Sequence, residues 1–111
     1  MTKNKEISYE FYVAGMKFHQ YPRVKPFIKE GDEVLLIPDP ENKYDPHAVR
    51  ILIVLDHELI MLGHVPMKKD LSMKISKLIK ETNQDIGIVT YHGLESPSYQ
   101  ALKIKVSFNV S

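Results

Sequence analysis

The stretch that decides the fold is residues 48–64, "AVRILIVLDHELIMLGH". Its first half is rich in β-branched side chains, which predicts a strand at 48–55 that is buried on both faces over part of its length. Asp56 and His57 then predict a turn, and residues 58–64 return as a second strand. The stretch is therefore predicted to be a β-hairpin, the third and fourth strands of the chain.

Four further segments have the character of strands. They are predicted at 9–13, 33–37, 86–91 and 102–110, and the last, "LKIKVSFNV", alternates apolar and polar residues along its whole length. Residues 16–30 contain two prolines and no clean period, so they are expected to form a loop with at most one short helical turn.

One helix is predicted, in "PMKKDLSMKISKLIKE" at 66–81. Pro66 suits a first-turn position, and Thr82 and Asn83 are expected to end the helix. Closing the sheet would hide the edges of such short strands. The prediction is a mainly β fold: a small six-stranded OB-like β-barrel with one main α-helix between strands 4 and 5, forming a single domain over 1–111. The apolar face of the helix is predicted to comprise Met67, Leu71, Ile75, Leu78 and Ile79.

Composition narrows the functional classes. The 111 residues are 43% apolar and 26% charged, which is typical of a soluble globular domain, and there are no cysteines for a disulfide, a thiolate zinc site or a nucleophile. The net charge of +1 lacks the basic excess of a sequence-blind duplex binder, so any nucleic-acid contact is expected to be local.

The expected location and oligomeric state follow from sequence features that the chain lacks. The first eleven residues lack an apolar core long enough for a signal peptide, and the longest apolar run, 51–55, is too short to cross a bilayer. A cytoplasmic protein without membrane contact is expected. A monomer is the default, because the chain shows no heptad or unused apolar stripe.

The connection between strands two and three, "DPENKYDPHAV" at 39–49, holds more than a turn requires. Asn42, Tyr44, Asp45 and His47 fall within it. An Asp in this setting often caps a turn through backbone N–H groups, with the tyrosine covering the end of the barrel. The alternative is that these side chains hold a ligand.

Three pieces in this order and spacing resemble the HIRAN domain: "GMKFHQY" at 15–21, "IKEGDEVLLIPDPENKYDPHAVRIL" at 28–52 and "LGHVPMKKDLSMKISKLI" at 62–79. The specific parts are "YDPHAV" and "GHVP". The resemblance implies a modified OB-type barrel without enzymatic activity or cofactor. In helicase-like remodelling enzymes such domains look like readers of the free 3' end of single-stranded DNA, and small stand-alone bacterial forms also occur. It further implies a setting in DNA repair and a protein partner with helicase or nuclease activity.

The resemblance implies roles for the connection. Tyr44 would stack a terminal base, at about 1–3 kcal/mol per base. Asp45 would accept a hydrogen bond from the 3'-hydroxyl and repel a continuing phosphate. Asn42 would meet a base edge or a sugar, or else be a plain turn residue in the left-handed region.

Further site residues follow from the same resemblance. His64 of "GHVP" would face the same pocket, Lys17 would meet a phosphate, and Tyr99 would add a wall. Phe18 would stack a base, with core packing as its alternative. Two positions depart from the family pattern: His19 stands where some members have a second aromatic residue, and Met67 where a cation often follows, a loss that Lys68 or Lys69 would cover. The predicted DNA-binding set is Lys17, Phe18, His19, Asn42, Tyr44, Asp45, His64, Lys68 and Tyr99.

Two other functions stay open. A metal-dependent hydrolase would need ligands to converge, for which Asp45, His47 and His64 are candidates, although no metal-binding motif is present. A peptide-binding barrel would be favoured if Tyr21, Tyr91 and Tyr99 were exposed together.

Overall fold

The fold is one antiparallel sheet of six strands, seen in a computed structural model that describes residues 4–111. Residues 1–3 of the predicted domain lie outside that description. The strand order is β1-β6-β5-β2-β3-β4. The number of strands and their approximate positions agree with the sequence prediction. The strands are β1 (Lys5–Tyr12), β2 (Glu33–Pro38), β3 (Val49–Leu55), β4 (Glu58–His64), β5 (Ile86–His92) and β6 (Leu102–Val110).

The predicted hairpin of β3 and β4 is confirmed. Its two turn residues, Asp56 and His57, have φ values of 51° and 65°. Two successive left-handed residues are what a tight two-residue hairpin turn needs, because this backbone twist matches the twist of the flanking strands. The hairpin therefore has a local cause in its two turn residues.

The edges of the sheet, β1 and β4, meet at one point. After β1 the chain continues to Ala14, whose N–H donates to the carbonyl of His64 at 2.8 Å, while the N–H of His64 donates to the carbonyl of Ala14 at 2.9 Å. Among residues 4–111 this isolated bridge is the pairing between the two edges. The sheet is not closed into a barrel, so the predicted barrel closure is not confirmed.

The predicted helix between β4 and β5 is confirmed as α2 (Leu71–Thr82), but its predicted start is wrong. A 3-10 turn, Lys68–Asp70, precedes it, and Lys69 and Asp70 are both left-handed, with φ values of 55° and 59°. Pro66 and Met67 therefore lie before the helix, and Met67 is 59% exposed rather than part of the apolar face. At the other end Asn83 is left-handed, which is common after a helix.

The segment 16–30, predicted as a loop, is more ordered than expected. It contains the 3-10 turns Met16–Phe18 and Lys25–Phe27 around α1 (Tyr21–Val24). Prolines in the first turns of these short helices explain how they start without a clean hydrophobic period. Apolar side chains of the segment are buried in the core: Met16, Tyr21, Val24 and Ile28.

The core lies between the inner face of the sheet, the buried face of α2 and the segment 16–30. Its fully buried side chains come from every part of the chain, including Leu36, Ile51, Leu62, Ile75, Leu102, Ile104 and Phe108. None of the helices found within residues 4–111 combines the length and the apolar character that a membrane crossing requires.

Candidate functional site

A pocket of about 400 Å³ lies beside the connection between β2 and β3. Three chain segments form it: that connection, the end of β4 with the residues that follow, and the Ala14–Gly15 dipeptide after β1. The bridge between Ala14 and His64 holds the last two together. The lining residues are Ala14, Gly15, Asn42, Tyr44, Asp45, Ala48, His64, Val65, Pro66, Met67 and Lys68.

Asn42 builds the turn of the connection with its own side chain. Its Oδ1 accepts the N–H groups of Tyr44 and Asp45 at 2.9 and 3.1 Å. Its φ is not positive, so the left-handed alternative is not what is observed. A side-chain oxygen that replaces a backbone acceptor is typical of an Asn-initiated turn, and Asn42 also lines the pocket.

Tyr44 is the most exposed large apolar residue described, at 90%. It lines the pocket but does not fill it, so it is not the lid over the end of the sheet that the structural alternative required. Leaving a bare aromatic ring in water has no benefit for folding, because burial of such a ring would be favourable. The ring is thus available to a flat ligand.

Asp45 is buried, with 8% of its surface exposed. Its Oδ1 accepts the N–H of His47 at 2.8 Å, and its Oδ2 accepts the hydroxyl of the buried Ser72 at 2.8 Å. The turn-capping role raised from sequence is therefore present, and a second bond ties the connection to α2. Each carboxylate oxygen still has acceptor capacity after one bond, and Asp45 lines the pocket.

His64 contributes to the site with both backbone and side chain. Its ring is half-buried, lines the pocket and lies 5.5 Å from the ring of His19, measured between centroids. Burial lowers the pKa of His64, and the charges of His19 and Arg50 lower it further, whereas Asp39 and Asp45 act in the opposite direction. The pair of rings places His19 next to the pocket.

A second pocket, of about 700 Å³, adjoins the first. The two share Ala14, Gly15, Pro66 and Lys68, so together they form one groove. Lysines and tyrosines line the second pocket, and Tyr99 is 67% exposed. These include Lys68, Lys69, Lys74, Tyr9, Tyr12 and Tyr99.

Lys17 and Phe18 lie on an exposed turn outside both pockets. Phe18 is 75% exposed, so the core-packing alternative is wrong for it. The Lys17 ammonium lies 5.0 Å from the centroid of the Phe18 ring, which is a cation–π contact. The turn that carries Tyr99, Ser98–Gln100, packs against this turn. The structure thus groups Asn42, Tyr44, Asp45, His64 and Lys68 directly, and places His19, Tyr99, Lys17 and Phe18 beside them.

Sequence reasoning missed Ser72 and Arg50. Ser72 is hidden in the helix as an ordinary small residue, and the signal that it bonds Asp45 exists only in three dimensions. Arg50 interrupts the apolar strand β3, which was a visible anomaly. It is the residue opposite His64 on β4, and its Nε is buried without a hydrogen-bond partner.

The two other functions lack support in the geometry. Within residues 4–111, no three His, Asp or Glu side chains are grouped so as to hold a metal ion, so Asp45, His47 and His64 do not form the suggested cluster. Tyr21 is buried, and its hydroxyl hydrogen-bonds Nε2 of His92 at 2.9 Å. The three tyrosines are therefore not exposed together.

Comparisons with known proteins bear on the fold and the family. The family model of the HIRAN domain matches residues 7–111. A search among curated proteins gives no significant match. A crystal structure of a protein from Lactobacillus plantarum is similar, with a TM-score of 0.73 and 20% identity, covering 98% of this chain and 100% of that one. The crystal structure of the HIRAN domain of human HLTF has a TM-score of 0.62 and 19% identity, covering 92% of this chain and 73% of that one.

Proposed function

The chain belongs to the HIRAN domain family, and from this premise we propose that it is a non-catalytic module that binds the free 3' end of single-stranded DNA. HIRAN domains are known as DNA-binding modules. The observation that carries the proposal is the 90% exposed ring of Tyr44 at the rim of a pocket of about 400 Å³. A rim aromatic beside a mostly apolar pocket that also holds a few polar side chains, among them Asn42 and Asp45, suits one stacked nucleotide.

Stacking on Tyr44 would supply the sequence-tolerant part of the affinity. Every base has a flat face, so a single ring accepts any of the four bases at about 1–3 kcal/mol. Asn42 lines the same pocket, and its NH₂ group would offer donors to a base edge or a sugar oxygen. The connection thus provides a platform with one polar contact, which is enough to orient a nucleotide.

Asp45 would supply the end discrimination. Its carboxylate is fixed by His47 and Ser72, so it is held in one orientation before a ligand arrives. A terminal 3'-hydroxyl donates to it, whereas a phosphate at that position has no proton to offer and carries like charge. The site would reject nucleotides inside a strand because their 3'-phosphate would make this unfavourable contact.

The rest of the strand would follow the groove into the second pocket. Lys68 borders both pockets, and Lys69 and Lys74 line the second one. Tyr99 offers another exposed ring. In this proposal the module performs no chemistry, so a separate protein with helicase or nuclease activity would act on the bound end.

The experiment compares two short oligothymidylates that differ only at the 3' end. Fluorescence anisotropy with the 3'-hydroxyl form is expected to show saturable binding, and the 3'-phosphate form is expected to bind at least about tenfold more weakly. The slope of log affinity against log salt concentration is expected to be about −0.7 per phosphate contacted, giving a total of about −2 to −3. Equal affinity for both ends, or none for either, would refute the proposal.

A further inference from the structure

Arg50 is an unusual residue for its place in the fold. It is the second residue of β3, the strand next to the edge strand β4, and it is half-buried between the apolar residues Val49 and Ile51. No side-chain hydrogen bond or ion pair is found for its guanidinium among residues 4–111, and its Nε is buried without a partner. A guanidinium is always charged, and a buried Nε–H without an acceptor is costly for the free protein. This arrangement points to an acceptor that comes from outside.

The neighbours of Arg50 make the site more cationic. Arg50 and His64 are directly paired in the ladder of β3 and β4, so their side chains emerge on the same face with Cβ atoms about 5 Å apart. The ring of His19 lies against that of His64. When His64 is protonated, its charge lies opposite that of Arg50, and like charges opposite each other weaken a sheet. An anion between them would reverse that effect.

We propose that Arg50, His64 and His19 form a phosphate-binding site beside the pocket, which His64 lines and next to which Arg50 and His19 lie. Arg50 would present two N–H groups of its fork to phosphate oxygens, and protonated histidine rings would add charge-assisted donors. Because the ring of His64 also lines the pocket beside Tyr44, the phosphate that suits this site is the one joining the terminal nucleotide to the next. The identity of that phosphate rests on the proposed function, whereas the anion site itself does not.

The charges that face His64 predict how binding depends on pH. His19 and Arg50 disfavour its protonated form, and Asp39 and Asp45 favour it. A bound phosphodiester keeps its charge in this pH range and raises the pKa of His64, so its binding takes up protons and strengthens as pH falls from about 7.5 to about 6. Asp39 is the acid that competes with an external anion, so Asp39→Asn is expected to tighten phosphate binding.

The first experiment uses inorganic phosphate alone. Proton NMR of the histidine rings is expected to show saturable shifts of His19 and His64 in the wild type, and none in Arg50→Gln. Arg23→Gln is the matched control, because Arg23 is exposed and already pairs with Glu58 at 3.4 Å. Saturable shifts that persist unchanged in Arg50→Gln, or their absence in the wild type, would overturn the site.

The second experiment uses a 3'-hydroxyl oligothymidylate whose last linkage is a neutral methylphosphonate. It is expected to bind at least about tenfold more weakly than the natural strand, and Arg50→Gln is expected to lose the same factor with no further loss when the two changes are combined. Independent, additive losses would contradict the assignment. If phosphate shifts the histidine signals but the oligothymidylate does not bind, the proposed function is rejected and the anion site is kept. If the oligothymidylate binds equally well to Arg50→Gln and phosphate causes no shifts, the anion site is rejected and the proposed function is kept.

Discussion

Arg50 on β3 and His64 on β4 are directly paired, so two side chains able to carry positive charge share one face of the sheet. Neither has a carboxylate within ion-pairing distance among residues 4–111, although Asp39 and Asp45 act on His64 from further away. The charge of Arg50 disfavours protonation of His64, and an anion bound between the two side chains would relieve that repulsion.

Replacing the charge should therefore not harm the fold. Arg50→Met keeps most of the aliphatic stem and removes a guanidinium whose Nε is buried without a partner, so the free energy of unfolding in urea is expected to stay equal or rise by about 1 kcal/mol. Arg23→Met, which removes an exposed ion pair, is expected to change it by less than about 1 kcal/mol. A loss above about 2 kcal/mol in Arg50→Met would indicate an internal partner that these contacts do not show.

The lowered pKa of His64 has a defined effect on stability. Above its usual value of 6.5 the ring is neutral in both folded and unfolded chains. As pH falls below 6.5 the unfolded chain takes up the proton first, so the folded state loses stability until its own lower pKa is passed. The stability advantage of wild type over His64→Gln should thus be smaller at about pH 5.5 than at about pH 7.5.

Thermal unfolding across that range, in a buffer without phosphate, measures this difference. His47→Gln is the control, because His47 is exposed and takes part through its backbone N–H, which the substitution keeps. A difference between wild type and His64→Gln that does not vary with pH would mean that the ring is less buried than described.

Asp45 is expected to matter for stability as well as for binding. Asp45→Ala leaves the N–H of His47 and the hydroxyl of Ser72 without their acceptor, at a cost of about 1–3 kcal/mol in urea denaturation. Ser72→Ala removes only the second bond and should cost about 1 kcal/mol. Because Ser72→Ala keeps the carboxylate, it should still prefer a 3'-hydroxyl over a 3'-phosphate, and loss of that preference would show that Asp45 acts only when held by Ser72.

Tyr44 should separate binding from folding cleanly. Since its ring is 90% exposed, Tyr44→Ala is expected to leave the melting temperature unchanged while weakening oligonucleotide binding by about 1–3 kcal/mol. Tyr44→Phe keeps the ring and should bind as wild type does. Phe27→Ala, an exposed aromatic outside every pocket described, is the control for nonspecific loss of an aromatic surface.

Gly63 allows the two edges of the sheet to meet. A Cβ at this position would collide with the carbonyl oxygen of Ala14 and lie 2.8 Å from Cγ1 of Val13. Gly63→Ala should therefore force the bridge apart and lower the free energy of unfolding by about 1–3 kcal/mol. Leu59→Ala, on the same strand but 52% exposed, should cost less, and an equal cost would indicate that the close approach is not what Gly63 provides.

The parts of the fold that sequence predicted are those with a local cause. The alternation in "LKIKVSFNV" and the turn at Asp56 and His57 predicted β6 and the hairpin because period and turn chemistry act within a few residues. The helix start was wrong because Lys69 and Asp70 adopt left-handed angles that no propensity indicates. The short helices of 16–30 were underestimated because burial of Met16 and Tyr21 against distant strands decides them.

The same division holds for the site. The connection with Asn42 and Tyr44 was visible, because an excess of polar and aromatic residues in a turn is a local signal. The sequence did not indicate that the ring of Tyr44 would be exposed and the carboxylate of Asp45 buried, since the burial of Asp45 depends on where α2 lies. Arg50 was passed over as one polar residue in an apolar strand, and only the register with His64 gives it meaning.

The bridge at His64 joins two properties that are usually separate. The main chain of this residue fastens β4 to Ala14, and its imidazole faces the ligand space. A ligand that holds the imidazole in place would therefore also oppose fraying of the bridge between His64 and Ala14. Amide hydrogen exchange at Ala14 and His64 should therefore slow when the pocket is filled, so occupancy can be read from the backbone without any label on the ligand.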